Sequence, residues 1–205
     1  MKTIVNTIPG YRAFEYLLIL SPHEELVNRI QKIKERFAEE YKTDFAKWGR
    51  PQIALATFYQ YEMMEERIVN RMNNIALGFP PFKVELKDFG SFPSHSIYIN
   101  VTSKLPVQKL VKQVRAETQR LMKLDDEHKP HFIMEPYINI GRKLLPWQYE
   151  KGWLEYSHSH FTGKFIADSM KLLKRPAGEL KYHHAHTFGF QNLPVVTKQG
   201  ELFSM

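Results

Sequence analysis

The chain has 205 residues, 43% hydrophobic and 25% charged, enough for one large domain or two lobes on a shared core, and this composition excludes a disordered or fibrous chain. A balance of 29 Lys and Arg against 22 Asp and Glu gives a net charge of +7, which favours anionic partners such as nucleic acid or phosphorylated metabolites without identifying one. Zero cysteines exclude disulfides, thiol catalysis and cysteine-held metal centres; with no apolar run of the ~18 residues needed to span a bilayer and no signal-peptide core in Met1–Pro9, a cytoplasmic location is expected.

Tyr11–Leu20 is short and ends in a continuous apolar run, the pattern of a strand buried on both faces. Ser21, Pro22 and Glu24 then read as an N-cap, a first-turn proline and a capping-box acid, opening a helix with Leu26, Ile30, Ile33 and Phe37 on one face. A polar connection through Trp48, Gly49 and Arg50 leads to a strand over Pro51–Phe58. A helix over Glu62–Leu77 follows, with Met64, Ile68, Met72 and Ile75 inward. Two strands, Phe82–Phe92 and Ser96–Val101, are joined by a turn at Pro93 and Ser94. The second half holds a helix over Pro106–Leu124 with a stripe of Val107, Leu110, Val111, Val114, Thr118 and Leu121, and a strand over Tyr137–Gly141. A helix opening at Pro146 and strand-like runs over Phe161–Leu173 and Leu180–Phe190 complete it.

Each half thus carries a proline-led strand, a helix and a long strand pair. Pro51-Gln52-Ile53-Ala54-Leu55 matches Pro136-Tyr137-Ile138-Asn139-Ile140, as an internal duplication would leave them. The expected fold is α+β: a single bilobal domain of sheet-and-helix lobes facing across a central cleft, with approximate halves 1–103 and 104–205 and room for strand exchange between them.

The two proline-led strands resemble those of the two-histidine phosphoesterases, the 2'-5' RNA ligase or LigT-like superfamily, whose strands read Pro-His-hydrophobic-Thr-hydrophobic. The resemblance in element order runs from Tyr11 to Phe190. Gln52 and Ala54 stand at the histidine and threonine positions of the first strand, Tyr137 and Asn139 at those of the second, and Gly141 and Arg142 follow the family's continuation. The resemblance implies 2',3'-cyclic phosphodiesterase or 2'-5' RNA ligase chemistry: one histidine takes a proton from the attacking hydroxyl, the other protonates the departing oxygen, and the threonines hold the phosphate. Residues two apart on a strand share a face, so each His-x-Thr pair enters the cleft together. Glutamine has no proton to exchange, and a tyrosine phenol ordinarily titrates near 10, far from neutral pH. The reading is therefore a protein without that catalysis whose cleft binds a nucleotide or RNA end through Gln52, Ala54, Tyr137, Asn139 and Arg142, with no catalytic residue, cofactor or metal assigned and no membrane contact. Two alternatives stand beside it: an active phosphodiesterase or ligase with a rearranged site, and a protein-interaction module.

Pro130-His131-Phe132-Ile133-Met134 offers another start for the second strand, with isoleucine where threonine belongs; the Tyr137 register is preferred because it aligns Gly141 and Arg142. His158 and His160, and His184 and His186 next to His183, form i, i+2 pairs that would share a face on a strand, though no carboxylate completes a metal set. Lys171, Lys174, Arg175 and Lys181, and separately Lys109, Lys112, Arg115 and Arg120, are candidate phosphate contacts. Tyr98, Phe132, Tyr137 and Tyr182 are candidate stacking surfaces.

Overall fold

The computed structural model describes residues 10–43 and 49–193; the expectations for Met1–Pro9 and for Trp48 lie outside the described residues. In chain order the elements are β1 (Ala13–Leu20), α1 (Glu24–Glu40), β2 (Ile53–Tyr61), a 3-10 turn (Glu62–Met64) running into α2 (Glu65–Gly78), β3 (Phe82–Phe92), β4 (Ser96–Val101), α3 (Lys104–Met122), β5 (His131–Phe132), β6 (Tyr137–Arg142), α4 (Pro146–Tyr156), β7 (Thr162–Ala167), β8 (Ser169–Pro176) and β9 (His183–Gly189). They form the expected α+β fold. One antiparallel sheet has the order β5-β2-β1-β8-β9, the other β6-β4-β3-β7.

Neither sheet is built from one half of the chain; strands from before and after residue 103 are exchanged in both. β5, β8 and β9 join β1 and β2, while β6 and β7 join β3 and β4. The helices cross over as well. α1 follows β1 but packs on β6 and β7, and α2 and α3 cover the first sheet through β9 and β2. This explains the start of α1. Leu20 remains in register with Ile53, leaving Ser21 and Pro22 to cross between sheets, and the N-cap is His23, without a side-chain cap, rather than Ser21.

The run Phe161–Leu173, expected as one strand, is two strands in different sheets. Phe165 and Ala167 point into the core, then Met170 and Leu172 do, so the two-residue alternation changes phase. A straight strand would turn one of these pairs to the wrong face. The chain breaks at Asp168, whose carbonyl accepts the Phe190 N–H at 2.7 Å. On α3 the stripe Val107, Leu110, Val111, Val114 and Thr118 is buried as its spacing implies. Gln60 on β2 ties down the end of this helix, donating to the Leu121 carbonyl at 2.8 Å and the Lys123 carbonyl at 3.2 Å.

Lys34 interrupts the apolar face of α1. It is 5% exposed, its ammonium donates to the Gly49 carbonyl, and burial, followed by the charge of Arg142, lowers its pKa to about 8. Because this lies below the value near 10.5 of an unfolded chain, the folded protein holds fewer protons between about pH 8 and 10.5, and stability is expected to rise with pH through that window. Urea denaturation at pH 7.5 and 9.5 should show a gain on the order of 2 kcal/mol for the wild type and almost none for Lys34→Met; equal gains in both would refute the assignment.

Candidate functional site

The first motif strand is β2. Partners directly opposite in an antiparallel pair share a face, so the register gives the composition of each sheet surface. Ala56, Phe58 and Gln60 face α3. On the helix-free face Thr57 lies opposite Leu17, which lies opposite Leu173 and then His184. Leu55 bulges out of register, so Ala54, opposite Ile19, joins the Thr57 face, with Gln52 just before the strand. His131 on β5 pairs directly with Thr57 and is exposed. The two starts considered for the second motif therefore do not compete: His131 edges the first sheet, and Tyr137 opens β6 in the second.

Further along the same face is a closed charge network. The Glu15 carboxylate accepts from Arg175 at 2.6 and 2.9 Å, from Tyr182 at 2.7 Å and from Tyr59 at 3.2 Å. The Arg175 guanidinium lies 4.3 Å from the Tyr182 ring centre. Burial, then the bond to Glu15, pushes the Tyr182 phenol above its ordinary range. Arg175 is thus committed to Glu15, while Lys171, opposite Ile19, makes no ion pair among the described residues.

The second motif strand is β6, where Asn139 pairs with Tyr98 and Tyr137 with Asn100. Tyr98 in turn pairs with Gly90 on β3. α1 and α4 pack on the opposite surface of this sheet, where Phe37 meets Gly141 and Gly152. The helix-free surface carries three rings in mutual contact. Phe92 and Tyr98 have centroids 4.7 Å apart, Tyr98 and Tyr137 4.9 Å, and Phe92 and Tyr137 5.2 Å, while His95 stacks on Phe92 at 6.1 Å. Burial raises the Tyr98 pKa, Lys104 partly opposing it, so this phenol stays a neutral donor. Arg142 ends the strand exposed, opposite Ser96. The strands β2 and β6 approach one another where the sheets meet. The side chains of Gln52, Tyr98, Tyr137 and Asn139 make no hydrogen bond to any described residue, and their polar atoms reach solvent.

The remaining candidates disperse. Lys109, Lys112, Arg115 and Arg120 are exposed on α3, behind the first sheet. Lys174 faces α2 and holds Glu65 at 2.8 Å. Phe132 pairs with Ala56 and turns into the core. The i, i+2 pair His184 and His186 does not share a face. A register shift between Leu172 and Leu173 puts His184 opposite Leu173 and His186 opposite Leu172, on opposite surfaces; His184 meets the Thr187 hydroxyl at 2.8 Å and His186 leans on Phe188 at 4.7 Å. His160 pairs with Asp88 at 3.3 Å. No cluster of three metal-ligating side chains occurs among the described residues. A groove of about 600 Å³ runs elsewhere, between His23, Leu26 and Arg29 of the α1 start and Glu85, Lys87 and Lys164 of the second sheet. Its mixed charges contain none of the motif positions. Phe92 and Thr57 enter the site only through the register of β3 with β4 and of β2 with β5, which sequence spacing does not reveal.

The sequence profile of the 2'-5' RNA ligase superfamily matches residues 22–179. The chain belongs to this superfamily. A protein of Geobacillus kaustophilus (strain HTA426) named as a phosphoesterase is 29% identical over 121 residues, 57% of this chain, and the chain spans 64% of that relative's length. Among solved structures, E. coli LigT complexed with 3'-AMP superposes with a TM-score of 0.59 at 13% identity, covering 88% of this chain and 99% of that one. A protein of Thermus thermophilus does so with 0.59 at 12%, covering 86% and 98%. These structures share the fold. No helix among the described residues is long and apolar enough to cross a membrane.

Proposed function

We propose that this superfamily member acts in the cytoplasm as a binding protein for a nucleotide or RNA end, held between the two helix-free faces, with no phosphodiester chemistry at its motif positions. The observation that carries the reading is that Gln52, Tyr137 and Asn139 project polar atoms that bond to no described residue, so a ligand's phosphate, sugar or base edges can take up those donors and acceptors. Ala54, next but one to Gln52, adds only a methyl group to that part of the site. Two facts support the ligand class: the net charge of +7, and the nucleotides 3'-AMP and ATP in complexes of E. coli LigT. Neither Gln52 nor Ala54 can move a proton, which removes the acid–base half of the chemistry on β2.

Fluorescence anisotropy with a labelled short single-stranded RNA at 50 and 200 mM salt tests the reading. Weak binding that falls roughly 7- to 20-fold between the two concentrations is expected for two or three phosphate contacts, and no binding at 50 mM would refute it. The pairing of His131 with Thr57 favours a second reading, a phosphodiesterase whose base has moved one strand sideways. Wild-type turnover of a 2',3'-cyclic nucleotide that is abolished by His131→Ala would establish it.

A further inference from the structure

One of the three rings on the second sheet, Tyr137, stands at the position that the family resemblance gives to the second histidine, yet the rings offer a phosphate little. Centroids 4.7 to 5.2 Å apart mean that the rings touch one another. No gap remains for a cation or a methylated amine, which excludes an aromatic cage. What the cluster presents is its outer surface. Tyr98 is set down against the sheet because Gly90 lies beneath it: a Cβ at that position would come within 2.6 Å of the ring. The nearby cation Lys104 is engaged by Glu135 at 2.6 Å. Unengaged cationic and hydroxyl groups lie instead on the first sheet, at Lys171 and at the His131–Thr57 pair.

We propose that the ligand lies turned relative to a phosphodiesterase substrate. An unpaired nucleobase stacks on the Tyr98–Tyr137 surface, at the position of the second motif histidine, and its phosphate points to Lys171 and His131 of the first sheet. The proposal rests on the nucleotide-binding reading and gives that ligand an orientation. Stacking needs only a π-face, so every base is accepted, whereas a paired base, its faces covered by neighbours, is not. It also gives the loss of the histidine a positive sense, since an imidazole at 137 would shrink the platform that a phenol extends.

Calorimetric titration of the whole protein with AMP and with ribose 5-phosphate tests the orientation. The wild type should bind AMP at least 5-fold more tightly than ribose 5-phosphate. Tyr137→Ala should bring that ratio close to one by weakening AMP about 5- to 100-fold, Tyr137→Phe should restore most of the loss, and Lys171→Ala should weaken both ligands together. Tyr137→His, which keeps a ring of the superfamily's own type at this position, serves if the alanine variant does not fold, and should lower the ratio in the same direction. AMP binding that is indifferent to Tyr137 overturns the orientation and leaves the nucleotide reading standing. Failure of the wild type to bind AMP at millimolar concentration overturns both.

Discussion

Hydrolysis of a 2',3'-cyclic nucleotide is expected to rise at least 100-fold above the wild-type rate when Gln52→His, Ala54→Thr, Tyr137→His and Asn139→Thr are combined. The wild type itself should turn over no faster than a heat-denatured control. Each restored acid–base group is worth about 10² to 10⁴ in rate when its geometry is right, and groups that act as a unit are strongly non-additive. The two double variants, each with one strand rebuilt, should therefore stay near the wild-type rate while the quadruple variant departs from it. Three features of the fold support the gain. Ala54 shares a face with Thr57, Asn139 pairs with Tyr98 on the helix-free face of the other sheet, and the two strands approach each other. Robust wild-type kcat that survives Gln52→Ala and Tyr137→Ala would overturn the expectation and direct attention to His131.

Phe37→Ala should be the most damaging single truncation in the second sheet's core. The ring is fully buried, with centroids 4.7 Å from Tyr41 and 5.4 Å from Tyr156. Glycine at 141 on β6 and at 152 on α4 makes room for it; a Cβ at Gly141 would fall 2.5 Å from the ring, and one at Gly152 3.0 Å. The glycines at 141 and 152 have no side chain to lean into the void, so the loss should reach about 3–5 kcal/mol. This is a large part of the roughly 5–15 kcal/mol typical of a domain. Urea denaturation reads it directly, and a loss below about 1 kcal/mol would show that the site collapses after all. Gly141→Ala should also destabilise, by about 1–3 kcal/mol, through crowding of the same ring.

The β3–β4 hairpin was legible from sequence to the residue, because alternation, a Pro93-Ser94 turn and renewed alternation all agree on it. The helices were legible through their stripes, though capping residues misplaced the start of α1 by two positions. Two kinds of feature stayed hidden. Bulges at Leu55 and between His184 and His186 shift which residues share a face without altering the local pattern, so the histidines that looked paired are not. Partners across strands are the other kind. Tyr98 and Tyr137 were visible as aromatics, but their contact with Phe92, and that of His131 with Thr57, depend on registers set by hydrogen bonds between distant segments. The assignment of Gln52, Ala54, Tyr137 and Asn139 to the motif positions, by contrast, concerns residue identity and rests on the resemblance of the two strands.

The pairing of β1 with β8 bears on how the chain reaches its fold during synthesis. Of the described elements β1 is made first, yet one of its two neighbours, from Ser169 onward, emerges only after both sheets' other central strands and the four described helices. Until then one edge of an almost wholly apolar strand is open to any passing chain. A protein so wired is expected to complete its first sheet late, to fold slowly for its size, and to gain more from shielding of its nascent segments than a protein built of two sequential halves would.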